Sequence, residues 1–86
     1  MAARVRMYSS GYCAFCRRAE ALLKARGVGD IETLRVDLHP QLLAEMVRTT
    51  GRRTVPQIFI NDHHVGGYDD LAALDRDGRL ASLLSA

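Results

Sequence analysis

Alternation of hydrophobic and polar residues predicts two β-strands, and two further short stretches predict a β-hairpin. The alternating segments are Arg4–Tyr8 and Thr33–Leu38, and such alternation is typical of a half-buried strand. The segment Pro56–Ile60 is mostly apolar and begins at a proline, which a strand tolerates at its first residue. A turn at Asn61–His63 separates it from the short segment His64–Gly66, so we expect these two strands to pair.

Apolar residues at helical spacing predict three helices between and after the strands. The first is expected over about Cys13–Arg26, and the second over Pro40–Gly51, since proline suits a first helical turn and glycine suits a helix end. The third covers Asp69–Gly78, because acidic residues suit the amino end of a helix and glycine breaks it. The segment Leu80–Leu84 adds a last helical turn or two.

The predicted order of elements is β-α-β-α-β-β-α, in a single domain over residues 1–86. A strand–helix–strand unit is normally a right-handed parallel crossover, and the hairpin adds two antiparallel strands. We therefore expect an α/β fold with a mixed four-stranded sheet, helices on both faces and the first strand in the centre. A central strand should be buried, and this conflicts with Arg4 and Arg6, which share one face of the first strand. Either the face is thinly covered or their side chains extend past the strand end.

Composition and charge narrow the functional classes. The formal net charge of +2 is too small for the basic face of a DNA-binding protein, and no stretch interleaves basic and aromatic residues as single-strand binders do. No apolar run has the length of a signal peptide or a membrane span. We therefore expect a cytoplasmic monomer that binds neither nucleic acid nor membranes, in a reducing compartment where a structural disulfide is unfavourable.

The two cysteines, Cys13 and Cys16, lie directly after a predicted strand and open a predicted helix. This is the arrangement of a thioredoxin-like redox motif. The thiolate is the reactive form of cysteine, and the amides and dipole at the amino end of a helix stabilise an anion. We therefore predict that Cys13 is the exposed, more readily ionised nucleophile. Cys16, about one helical turn further on, is expected to be more buried and able to attack a mixed disulfide on Cys13.

The neighbours of this pair leave two questions open. Arg17 and Arg18 either favour a Cys13 thiolate electrostatically or are solvated and far from the sulfur. Zinc binding is the main competing use of two closely spaced cysteines, but it usually needs four ligands and the sequence has no second cysteine pair. The three histidines are interpreted as turn and surface residues: His39, His63 and His64.

Three segments together resemble one known family. They are Cys13–Cys16, Thr54–Ile60 and Gly66–Leu71, and in this order and spacing the chain resembles bacterial dithiol glutaredoxins over nearly its full length. The resemblance implies a thioredoxin-like fold and a glutathione-dependent thiol–disulfide oxidoreductase. It also implies that Pro56 follows a cis peptide bond and lies beside the active-site sulfur.

The resemblance implies a glutathione site as well. The backbone of Val55 would pair with the bound peptide, and the amides of Tyr68 and Asp69 would hold the γ-glutamyl carboxylate. The Asp69 carboxylate would hold the glutathione amino group, in addition to a role as helix N-cap. Phe15 stands where the family usually has a tyrosine that flanks the ligand. The implied glutathione-binding residues are Phe15, Thr54, Val55, Pro56, Gly67, Tyr68, Asp69 and Asp70.

The chain departs from the family pattern at three places. Ala14-Phe15 replaces the common Pro-Tyr between the cysteines, so the reduction potential cannot be transferred. Tyr68 replaces a common cysteine or serine, and Ser10 stands where many members have a lysine that contacts the glycine carboxylate of glutathione. We hypothesise that one of three arginines takes over this contact: Arg48, Arg52 or Arg53.

The expected chemistry is thiol–disulfide exchange, in which Cys13 attacks and Cys16 resolves. The substrates would be glutathionylated and disulfide-bonded proteins. One alternative is a dimer that binds a [2Fe–2S] cluster through Cys13 and glutathione, because family members with this property commonly have a small residue where Ala14 stands. A second alternative is a redoxin reduced by thioredoxin reductase, which the match of Gly67–Asp70 to the glutathione-binding segment disfavours.

Overall fold

Four strands form one mixed sheet in the computed structural model, which describes residues 3–85. The strand order is β2-β1-β3-β4; β1 pairs with β2 in parallel, and the other two pairs are antiparallel. The first strand is central, as predicted, because it lies between its parallel and antiparallel partners. The strands are β1 (Val5–Ser9), β2 (Ile31–Arg35), β3 (Gln57–Ile60) and β4 (His63–Gly66).

The helices cover both faces of the sheet, since the side chains of β1 and β3 alternate between two apolar clusters. On one face Met7 and Ile58 pack in a core with residues of three helices, and this core includes Leu23, Leu71 and Leu80. On the other face Tyr8 and Phe59 pack with Met46 of the remaining helix. The helices are α1 (Ala14–Ala25), α2 (Pro40–Thr50), α3 (Tyr68–Arg76) and α4 (Arg79–Leu84), of which α2 alone lies on the second face.

Several predicted boundaries were wrong by one residue, and the second strand was wrong at both ends. The second strand covers Ile31–Arg35 instead of Thr33–Leu38, and the chain turns at Asp37 because this carboxylate binds both the Arg35 guanidinium and the Gly11 amide. The third helix begins at Tyr68, one residue before the predicted start. None of the helices in the described part of the chain has both the length and the apolar character that a membrane span needs.

The two arginines of the first strand are accommodated in different ways. Arg4 lies just before β1, is exposed and pairs with Glu32 at 2.9 Å. Arg6 is half-buried, and its guanidinium lies 5.1 Å from the centre of the Phe59 ring on the face that α2 covers. Its Nε is buried without a hydrogen-bond partner in the described chain. The aromatic ring therefore provides the favourable contact for this charge.

Candidate functional site

The cysteine pair lies at the amino end of α1. Cys13 is the N-cap residue in an extended conformation, and its sulfur accepts a hydrogen bond from the Cys16 amide at 3.1 Å. The two sulfurs are bonded in a disulfide, with the Cα atoms 5.2 Å apart. Cys13 is partly exposed and Cys16 is 3% exposed, as predicted. A sulfur at an N-cap faces the unpaired amides of the first turn, which stabilise negative charge there after reduction.

The segment Thr54–Pro56 lies next to the Cys13 sulfur. The Val55–Pro56 peptide bond is cis, as the resemblance implies. The carbonyl oxygen of Val55 is 3.8 Å from Cys13 Sγ. The sulfur has no hydrogen to donate while it is part of a disulfide, whereas the reduced thiol is a weak donor toward this oxygen. The first two chemical elements of the predicted site, the dithiol and the proline segment, are therefore in contact.

A buried amide fixes the base of this segment. Gln57 is 1% exposed, and its Nε2 donates to the carbonyl oxygen of Thr54 at 3.0 Å. The amide oxygen faces His64 Nε2 at 2.8 Å, so this nitrogen carries the proton and donates. His64 also stacks on Phe59 with the ring centres 4.9 Å apart. The interpretation of His64 as a surface residue was therefore wrong, and burial lowers its pKa.

All eight residues implied for glutathione binding, Val55 among them, line one groove of about 180 Å³. Phe15 and Tyr68 face each other across it, with ring centres 6.1 Å apart. The same groove includes Arg52 and Gln57, neither of which was among those eight. The sequence signal for Gln57 was a single polar residue inside an otherwise apolar strand. The site residues therefore converge from three segments of the chain, around residues 15, 52–57 and 67–70.

The amino end of α3 closes one side of this groove. The N-cap is Gly67, and the Asp70 carboxylate accepts hydrogen bonds from the Gly67 amide at 2.9 Å and from Arg52 Nη1 at 3.2 Å. The expected N-cap role of Asp69 was wrong, because Asp70 is the residue that reaches back. The Gly67 amide, and then Arg52, lower the pKa of Asp70. Asp69 is exposed within the groove, and this leaves its carboxylate accessible to a ligand.

A glycine is required next to this cap. Gly66 has φ +114°, a conformation that side chains rarely adopt, and a Cβ there would collide with the Asp70 carboxylate. Arg52 Nη1 also comes within 3.1 Å of that position. The close approach of Asp70 to the backbone therefore depends on the missing side chain.

Charged residues near Cys13 make specific contacts. Arg17 Nη2 donates to the Gly11 carbonyl at 3.3 Å and lines a small crevice that it shares with Ser10 and both cysteines. Arg18 lies over the Phe15 ring at 5.4 Å. Neither guanidinium is a hydrogen-bond partner of the Cys13 sulfur in the described chain, although Arg17 shares its crevice.

The loop before Cys13 is anchored by a contact that sequence reasoning missed. The Asp37 carboxylate accepts from the Gly11 amide at 3.1 Å and forms a two-pronged ion pair with Arg35. The Arg35 guanidinium holds the pKa of Asp37 far below its usual range. Tyr12, between Gly11 and Cys13, is 97% exposed. The Asp37 carboxylate, just after β2, thereby anchors the turn that leads to Cys13.

The three arginines proposed to replace the lysine differ in position. Arg52 alone lines the groove with the implied glutathione residues, whereas Arg48 and Arg53 line a second groove along α2. His39 and His63 are exposed, as predicted. Within residues 3–85, no three potential metal-ligating side chains gather.

Known proteins resemble this one over nearly the whole chain. A family model described as Glutaredoxin matches residues 5–65. A glutaredoxin of Neisseria meningitidis is 48% identical over 81 residues, 94% of this chain and 95% of that protein. Glutaredoxin 3 of Escherichia coli K12 is 46% identical over 82 residues, 95% of this chain and 98% of that protein. The crystal structure of a buckwheat glutaredoxin–glutathione complex superimposes on this chain with a TM-score of 0.87 at 31% identity. The match covers 96% of this chain and 77% of the buckwheat chain. The predicted thioredoxin-like architecture is thus confirmed, and the chain belongs to the glutaredoxin family.

Proposed function

We propose that the protein is a glutathione-dependent thiol–disulfide oxidoreductase, which reduces protein–glutathione mixed disulfides and protein disulfides. The observation that carries this proposal is the position of Cys13. Its sulfur caps α1 at 3.1 Å from the Cys16 amide and lies 3.8 Å from the carbonyl oxygen of Val55, a residue that lines the groove. The buckwheat relative was solved as a complex with glutathione, which supports glutathione as the ligand of the groove.

Deglutathionylation uses Cys13 alone. The reduced Cys13 thiolate attacks the glutathione sulfur of the mixed disulfide, and the protein thiolate leaves and takes a proton from water. A second glutathione thiolate then attacks the glutathione sulfur attached to Cys13. This step releases glutathione disulfide and regenerates the Cys13 thiolate, so one reduced glutathione is consumed for each protein thiol recovered, and the other half of the glutathione disulfide comes from the mixed disulfide. The helix-end amides stabilise the thiolate at the start and at the end of the cycle.

Reduction of a protein disulfide also needs Cys16. Cys13 attacks one substrate sulfur and releases the other as a thiolate, and Cys16 then attacks Cys13 to free the substrate. The Cys13–Cys16 disulfide is the product of that second step, and glutathione reduces it again. We propose the cytoplasm as the compartment, because glutathione is kept reduced there.

Glutathione would lie along the groove with its two ends bound differently. Its backbone would pair with Val55, and its γ-glutamyl carboxylate would face the first amides of α3, at Tyr68 and Asp69, which have no carbonyl partner within the helix. The exposed Asp69 carboxylate would bind the amino group. Arg52, the candidate arginine that lines the groove, would bind the glycine carboxylate in place of the missing lysine.

The test is turnover of a glutathione mixed disulfide with glutathione, glutathione reductase and NADPH. We expect Cys13→Ser to abolish turnover. Cys16→Ser should keep deglutathionylation and lose reduction of protein disulfides. Absence of turnover from folded, reduced protein would refute the proposal, and loss of both activities in Cys16→Ser would refute the division of roles. For the groove, Arg52→Gln should raise the KM for glutathione, with Arg53→Gln as a matched control.

A [2Fe–2S] cluster shared by two protomers is the second candidate, and Ala14 favours it. This small, exposed residue stands beside Cys13 at the start of α1. Clusters of this type need four ligands, and Cys13 is the more accessible sulfur of the two in each chain. Two copies of Cys13 and two glutathione thiols would supply the set. Brown dimeric protein after anaerobic purification with glutathione would support this candidate, and colourless monomer after reconstitution would exclude it.

A further inference from the structure

A second groove runs along α2, on the face of the sheet opposite α1, α3 and α4. It measures about 400 Å³ and shares no lining residue with the groove next to Val55. Its floor is apolar, with Leu43 and Val47 half-buried, and two exposed arginines lie at its rim. The lining residues are Pro40, Leu43, Ala44, Val47, Arg48 and Arg53.

The two rim arginines are among the exposed arginines that have no ion-pair partner in the described chain. Arg26, Arg35 and Arg52 each bind a carboxylate. No carboxylate oxygen of the described chain lies within 4.0 Å of the guanidinium of Arg48 or Arg53. This holds for the one acidic residue of α2 as well. An apolar floor bordered by two uncompensated guanidinium groups is complementary to an apolar side chain flanked by carboxylates.

One rim residue of the groove lies two positions along the chain from the residue whose carbonyl contacts Cys13. Arg53 directly precedes Thr54, and the next residue, Val55, has its carbonyl oxygen 3.8 Å from Cys13 Sγ. An extended chain advances about 3.3 Å per residue. A protein segment with its cysteine at Cys13 would therefore bring residues about two to four positions away to the rim of the groove.

We propose that the α2 groove docks protein substrates, and that it selects segments in which an apolar residue and Asp or Glu lie a few positions from the disulfide cysteine. This inference rests on the function proposed above and names a substrate class for it. Glutathione would occupy the other groove, so docking should change turnover of protein substrates and leave small disulfides unaffected.

The experiment compares three substrates: the mixed disulfide of glutathione with cysteine, a glutathionylated peptide with Leu and Glu near its cysteine, and the same peptide with Lys in place of Glu. The variant is Arg48→Glu/Arg53→Glu. The matched control is Arg76→Glu/Arg79→Glu, which makes the same charge change on exposed residues of α3 and α4. Turnover of the small disulfide tests the proposed function by itself, and the ratio between peptides tests the docking.

We expect wild-type protein to prefer the Glu peptide. In Arg48→Glu/Arg53→Glu, kcat/KM for that peptide should fall about tenfold at low salt, since each exposed pair changes from attractive to repulsive. The Lys peptide should gain, and the small disulfide should keep its wild-type rate. The difference between peptides should shrink at 1 M salt, where the screening length is about 3 Å.

Equal turnover of both peptides by wild-type protein would overturn the docking proposal, as would an equal loss for all three substrates in the double variant. A direct reading comes from amide chemical shifts on titration with the Glu peptide carrying Ser in place of Cys. Shifts at Leu43–Arg48 and Arg53 are expected, and shifts confined to Phe15 and Tyr68 would contradict the proposal. If these shifts occur but the small disulfide is not turned over, the proposed function is refuted, whereas the proposal that this groove binds the peptide still stands.

Discussion

Replacing Gly66 by alanine should displace the carboxylate that caps α3. Gly66 has φ +114°, and the new Cβ would collide with the Asp70 carboxylate and approach Arg52 Nη1. That carboxylate accepts from the Gly67 amide at 2.9 Å. The substitution therefore has two separable effects: an unfavourable backbone conformation and the loss of the reciprocal cap.

Each effect has a typical magnitude. A positive φ at a non-glycine residue costs about 1–2 kcal/mol, and loss of a helix cap costs about 1 kcal/mol more. The total, about 2–3 kcal/mol, corresponds to a decrease in Tm of roughly 10–20 °C in a domain of this size, at about 4–8 °C per kcal/mol. Gly51 provides the control, because it has φ +73° and an added Cβ there meets nothing within 4 Å. Gly51→Ala should therefore show the backbone effect alone.

The assay is thermal unfolding of the reduced proteins, followed by circular dichroism in the presence of a reductant. Gly66→Ala should unfold about 4–8 °C below Gly51→Ala, the difference that one lost cap represents. In an Asp70→Ala background the extra cost should disappear, since the colliding carboxylate is gone. Equal Tm values for the two glycine variants, or an unchanged cost without Asp70, would refute this account of Gly66. Gly66→Ala should also weaken glutathione binding, whereas Gly51→Ala should not.

Three further predictions follow from contacts in the core and around the nucleophile. Asp37→Ala should lower kcat/KM for mixed disulfides, since the Gly11 amide before Cys13 loses its acceptor. The control is Asp62→Ala, at an exposed turn residue of the hairpin, and equal kcat/KM values for the two variants would exclude a role of Asp37 in positioning Cys13. Burial lowers the pKa of His64 below its usual 6.5, so the unfolded protein binds more protons and the free energy of unfolding should fall as the pH drops below about 6.5. Denaturant midpoints measured from pH 7.5 to 5 should therefore depend less on pH in His64→Gln than in wild-type protein. An unchanged pH dependence in the variant would contradict this role of His64. Leu71→Ala should cost about 2–5 kcal/mol, because this side chain is 0% exposed in the core beneath α3; a urea midpoint equal to that of wild-type protein would contradict that packing.

The order of elements and the redox pair could be predicted from the sequence because they depend on neighbours along the chain. Strand alternation, helix spacing and the position of the two cysteines after β1 are local patterns. The resemblance to glutaredoxins then identified the groove residues one by one, and the structure brings Phe15, Thr54 and Asp69 together from separate segments.

Tertiary structure decided which of several plausible partners each polar group binds. Asp69 was the cap of the third helix expected from the sequence, whereas the path of the chain through Gly66 brings Asp70 to the Gly67 amide. The same holds for the three candidate arginines, of which the loop after α2 brings Arg52 alone into the groove. Contacts such as that of Asp37 with Gly11 join residues far apart in the chain. The pattern around each residue therefore contains no signal for them, and they arise only when the packing of sheet and helices fixes which surfaces meet.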